Sequence, residues 1–138
     1  MSAGIAFEII FPIPYPYPMP LDWQSGALAE GLHCYHRAQF FAAHEHWESV
    51  WITLTGREKS FLQSLIQSAV AFHHYQCGNK IGASSLLRRA LHRMELCPDS
   101  VASIATDRFR AEATAWLLAL DSGTLPAPVT FPPIHPIS

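Results

Sequence analysis

Ten of the eleven prolines fall in two short tails, Pro12 to Pro20 and Pro126 to Pro136, and only Pro98 interrupts the long stretch between them. Proline removes a backbone donor and clashes with the preceding helical turn, so this distribution confines helix to the middle of the chain. No period-two run of β-branched residues occurs there, and helix is the one regular structure the pattern supports. The alternation Pro-Ile-Pro-Tyr-Pro-Tyr-Pro-Met-Pro imposes an extended arm, because each proline also restricts its predecessor. Tyr15, Tyr17 and Met19 give that arm an apolar side. It is read as lying on protein surface, of this copy or a second one, against the alternative of an extension that does not pack. The expected division is an arm over 1–21, a helical domain over 22–123 and a proline-rich tail over 124–138.

Helix signals divide the middle into five. Asp22 is expected to cap a first helix from Trp23 to about Arg37. A second runs from about Phe40 to Leu54, and a third from near Arg57 to a stop at Gly78-Asn79. The fourth spans about Lys80 to Leu96 and is expected to bury Ile81, Leu86, Leu87, Leu91 and Met94. Thr106 or Asp107 opens the last, which Ser122-Gly123 closes. The fold class is all-α, a compact bundle of about five helices with short links.

Composition narrows the function classes. Charged residues are 14% of the chain, its net charge is -2, and no block of five like charges occurs. Neither nucleic acid nor an anionic membrane is therefore an expected partner, although Arg88, Arg89 and Arg93 can form a local patch on one helix. Cys34, Cys77 and Cys97 are odd in number and widely spaced, which argues for buried thiols in a reducing, cytoplasmic setting. The longest apolar stretch of the helical middle, Leu65 to Phe72, is broken by Gln67 and Ser68 and falls short of a membrane span.

The chemistry concentrates on the second and third helices. Phe41, His44, Glu48 and Trp51 follow helical spacing and are expected to form an inward stripe, with Trp47, Val50 and Leu54 beside it. His44 and Glu48 are four apart, so imidazole and carboxylate can converge on one atom. On the third helix Gln63, Gln67, His73 and His74 interrupt an apolar pattern and need buried partners. An antiparallel pairing brings His73 towards His44 and Gln63 towards Trp51. His44, Glu48 and His73 then supply two imidazoles and a carboxylate, a ligand set for one divalent ion: zinc, iron or manganese. Glu45, Trp51, Gln63, Gln67 and His74 are the candidates for supporting or binding roles around it.

The run from Ala43 to Trp51, Phe61-Leu62-Gln63-Ser64-Leu65-Ile66-Gln67 with His73, and Gly78-Asn79-x-x-Gly82-Ala83 together resemble a small bacterial and archaeal family. It is catalogued as domain-of-unknown-function family 309, with the signature His-x3-Glu-x2-Trp/Tyr, and the resemblance covers about residues 28 to 97. It implies a compact helical bundle whose signature has been suggested to bind metal. Members often carry Gly-Arg before the aromatic pair and a Glu two residues before the signature His. Here those places hold Ala38, Gln39 and Ala42.

Two functions follow from these residues. One is a metal- or ligand-binding protein, with a metal-dependent hydrolase as the enzyme it would serve, its metal lowering the pKa of a bound water. The other is a non-catalytic interaction or scaffold module whose His, Glu and Gln groups form a structural hydrogen-bond network. The ligand is a small molecule or protein in either case, and the proline-rich arms are the surface through which a homodimer would form.

Overall fold

The computed structural model describes residues 21–97 and 103–137. Five helices follow one another: α1 Gly26–His36, α2 Phe40–Trp51, α3 Gly56–Gln76, α4 Lys80–Met94 and α5 Thr106–Ser122. The first three links span 37–39, 52–55 and 77–79, too short for anything but a reversal onto the preceding helix. α3 is the central element. Phe61, Leu62, Leu65, Ala69, Ala71 and Phe72 are fully buried, as are Ser64 and Ser68, whose hydroxyls donate to the Phe61 and Ser64 carbonyls of their own helix. Those small side chains, with Ala83 and Ala90 of α4, permit close approach of the two helices.

The helix boundaries depart from expectation in instructive ways. Asp22 does not open α1: its carboxylate accepts from the Gln24 amide at 2.9 Å and the Ser25 hydroxyl at 2.7 Å, building a turn ahead of the helix. Trp23 is thereby freed to enter the core, edge-on to Trp47 at 6.1 Å. α2 ends at Trp51, a turn earlier than Leu54, and α5 opens after Ala105, which takes the capping position expected of Thr106 or Asp107. Asn79 does cap α4, accepting from the Gly82 amide at 2.9 Å. Ile81 is 85% exposed, a correction to its expected burial. It lies in the first turn of α4, where Ala83 and Leu87 take the inward direction.

The second proline-rich segment packs against the bundle. Ile134 is buried, and Phe131 lies among the rings of Phe40, Phe72 and Trp116 at 4.8, 5.3 and 5.8 Å. Tyr35 donates its hydroxyl to the Pro132 carbonyl at 2.5 Å, and burial pushes its pKa well up, so it stays a neutral donor. The Ala105 amide donates to the His135 carbonyl, and the Ile137 amide to that of Ser103. The arm carrying Tyr15, Tyr17 and Met19 lies outside the described residues.

His36 makes this docking pH-dependent. Its Nε2 accepts from the Ile134 amide at 3.1 Å. An amide can only donate, so the bond needs an unprotonated ring nitrogen. Burial, and secondly the neighbouring His135, lower the His36 pKa from its ordinary 6.5. The unfolded chain therefore takes up this proton first, and the contribution to stability is complete above the ordinary value and lost as pH falls through the lowered one. Hydrogen-exchange protection of the Ile134 amide, corrected for intrinsic rate, is expected to decline between about pH 7 and 5. Constant protection over that range would show that His36 does not hold the tail.

Candidate binding site

The direction in which α2 faces is set by its largest side chain. Trp47 is wholly buried, with its Nε1–H donating to the Leu28 carbonyl at 3.2 Å, and Phe40 and Ala43 share its face. Gly31 of α1 makes the seat, since a Cβ there would fall inside the Trp47 indole. The inward stripe is thus Phe40, Ala43 and Trp47, one position away from the expected Phe41, His44 and Glu48. Phe41 is 50% exposed as a result. His44 and Glu48 are rim residues, their side chains 19% and 55% exposed.

The expected pair does form, with His44 Nε2 3.3 Å from Glu48 Oε2. His73 comes near without joining it. The Phe41 ring lies against both imidazoles, at 5.2 Å from His44 and 5.4 Å from His73. His73 Nε2 instead meets the Cys77 thiol of the next turn at 3.6 Å. Among the described residues no three His, Cys, Asp or Glu side chains converge as a group that could hold a metal ion. Two donors meet at the rim of α2 while the third is turned along its own helix, so this arrangement does not by itself fit the expected three-ligand ion.

The polar partners of these histidines are local, so they do not join one helix to another by hydrogen bonds. His44 pairs within α2, His73 within the end of α3, and His74 Nδ1 lies 3.4 Å from Asn79 Nδ2 in the adjoining link. Glu45 is exposed to solvent. The face concentrates unmet hydrogen-bonding capacity, with Glu112 Oε1 on α5 and His135 Nε2 in the tail as the other such atoms among the described residues. His44 Nδ1, Trp51 Nε1 and Gln67 Oε1 are buried atoms without a hydrogen-bond partner, and so is Arg93 Nε on α4.

Three of those four atoms belong to residues lining two adjoining clefts at the far end of α2. One, of about 340 Å³, is bordered by Trp51, Lys59, Gln63 and Gly56; the other, of about 300 Å³, by Gln67, Arg89, His92 and Leu96. Ser60 and Arg93 line both. The Lys59 ammonium sits over the Trp51 ring at 4.3 Å from its centre, a favourable cation–π position. Arg93 Nη1 reaches the Ser60 hydroxyl at 3.5 Å, the outer limit of a hydrogen bond.

Sequence reasoning found Trp51, Gln63 and Gln67 but missed Lys59, Ser60 and Arg93 as their companions. A signal was present. Folding the chain back at Gly78 sets position 63 opposite 93 and 67 opposite 89, so the arginines Arg89 and Arg93 belong beside the two glutamines. Of the arginine patch read on the fourth helix, Arg88 points elsewhere, to an ion pair with Asp121.

Residues 28–86 match the family model described as a domain of unknown function, DUF309. An "Uncharacterized protein" of Aquifex aeolicus (strain VF5) is 32% identical over 85 residues, which is 61% of this chain and 26% of that relative. The matched region thus spans about a quarter of that relative's length. No solved structure matches the chain. Among the described residues no helix is long and apolar enough to cross a membrane.

Proposed function

We propose that residues 28–86, as a DUF309 segment, form the core of a non-catalytic binding module that takes a small polar ligand on the face shared by α2, α3 and α4. The observation that carries this reading is the set of buried, unpartnered atoms on His44, Trp51 and Gln67. A buried polar atom without a partner costs about 1–3 kcal/mol, which folding alone gives no reason to retain. The scaffold reading would have these groups hydrogen-bonded between helices, whereas His44 pairs within α2 and the Trp51 Nε1 and Gln67 Oε1 atoms are without partners.

A single zinc, iron or manganese ion at His44, Glu48 and His73 is the second reading, favoured by the two imidazoles sharing the Phe41 ring. Elemental analysis of untagged protein separates it from the first, since a stoichiometric metal would establish an ion site. Catalysis, as in a metal-dependent hydrolase, would need more than these groups supply. Three free thiols, two of them buried, fit a reducing cytoplasmic setting. The test of the binding reading is stability without ligand. Trp51→Phe deletes the orphaned N–H and is expected to leave the unfolding free energy within about 0.5 kcal/mol of the parent, the lost donor penalty offsetting lost area. A loss well beyond that would return Trp51 to a structural role.

A further inference from the structure

We propose that the paired clefts beside Arg93 bind a small phosphate monoester carrying a hydroxyl group, with Trp51, Lys59 and Arg93 meeting the phosphate and Gln67 the hydroxyl. This deepens the binding reading above and rests on it. Lys59, Arg89 and Arg93 line the clefts, and among the described residues no aspartate or glutamate does, in a chain whose net charge is -2. Glu58, buried in the first turn of α3, lines neither cleft. Although Glu95 lies 4.0 Å from His92 at the edge of the second cleft, cations outnumber carboxylates here, and a concave site of that charge favours an anion.

The unmet atoms specify which kind. Trp51 Nε1 and Arg93 Nε are donors without acceptors, whereas Gln67 Oε1 is an acceptor without a donor. A bare oxyanion satisfies the first two and not the third. A hydroxyl-bearing phosphate satisfies all three. Its charge near -2 and three terminal oxygens also suit three cations better than a single carboxylate does. The Arg93–Ser60 contact between α4 and α3 explains the placement of Arg93, yet accounts for neither Trp51 nor Gln67. The larger cleft of about 850 Å³ between α4 and α5, lined by Lys80, Arg88, Arg89 and Asp121, makes no comparable case, because none of its lining residues carries a buried atom without a partner.

Two-dimensional ¹H–¹⁵N spectra of the full chain test this, with the Trp51 indole signal identified from Trp51→Phe. Glycerol 3-phosphate is expected to move that signal saturably, inorganic phosphate more weakly, and glycerol not at all. Arg93→Gln should weaken glycerol 3-phosphate binding at least about tenfold, and Lys59→Met should weaken it in the same direction should Arg93→Gln fail to fold. Arg108→Gln, on α5 beside Glu112, should leave it unchanged. Absence of a saturable shift, equal affinity in the cleft variants, or an equal response to glycerol overturns the phosphate assignment. The binding reading beneath it fails separately, by loss of stability in ligand-free Gln67→Leu.

Discussion

Trp47→Ala is expected to destabilise the bundle by about 3–5 kcal/mol, the range for truncating a buried large aromatic residue. The indole is fully buried, stacked on Tyr35 at 5.9 Å and met edge-on by Trp23. Its seat is dedicated, since Gly31 gives up a side chain to admit it and Leu28 supplies a carbonyl for its N–H. Surrounding groups are themselves large rings, which cannot collapse into the space, so the cavity cost adds to the lost burial. Trp47→Phe should recover most of the loss and leave the gap over Gly31. Equilibrium urea unfolding measures both, and a loss below about 1 kcal/mol for the alanine variant would mean that Trp47 does not orient α2.

Removal of residues 124–138 should have a comparable or larger effect. It takes away Phe131 and the buried Ile134, uncovers Trp116, and leaves the Tyr35 hydroxyl and the Trp116 N–H without the Pro132 and Thr130 carbonyls. Burial of Ile134 alone corresponds to about 2–5 kcal/mol on truncation to alanine, against a total of about 5–15 kcal/mol for an ordinary domain. The shortened chain is expected to lose its cooperative thermal transition or bind a hydrophobic dye. An unchanged melting temperature would make the tail an accessory to the bundle instead of one of its walls.

The sequence declared the helices through their stop signals, above all Gly78-Asn79 and Ser122-Gly123. Both closures occur, with Gly78 at φ 83° and Gly123 at φ 70°. It declared faces less well, for an identifiable reason. On α2, Phe40, Phe41, Trp47, Val50 and Trp51 are apolar on nearly every side, so periodicity admits two stripes a residue apart. The choice belongs to Gly31, which lies on another helix and marks where an indole fits. That same one-residue rotation carries His44 and Glu48 to the rim and leaves their pairing intact, because i,i+4 spacing survives any rotation. His73 was placed by helix pairing alone, and pairing fixes height along a helix better than direction around it. The tail was unreadable for a different cause. Its contacts run to residues far away in the chain, Tyr35 and His36 among them.

If the polar face of α2, α3 and α4 is kept for binding, its groups should be a burden to the empty fold. Gln67→Leu tests this most directly, since it replaces a side chain bearing a buried, unpartnered oxygen with an apolar one of similar size. In the absence of added ligand the variant should melt at a higher temperature than the parent, by an amount corresponding to about 0.5–2 kcal/mol. A lower melting temperature would mean that Gln67 is part of the hydrogen-bonding fabric of the bundle, and the binding account of this face would be wrong.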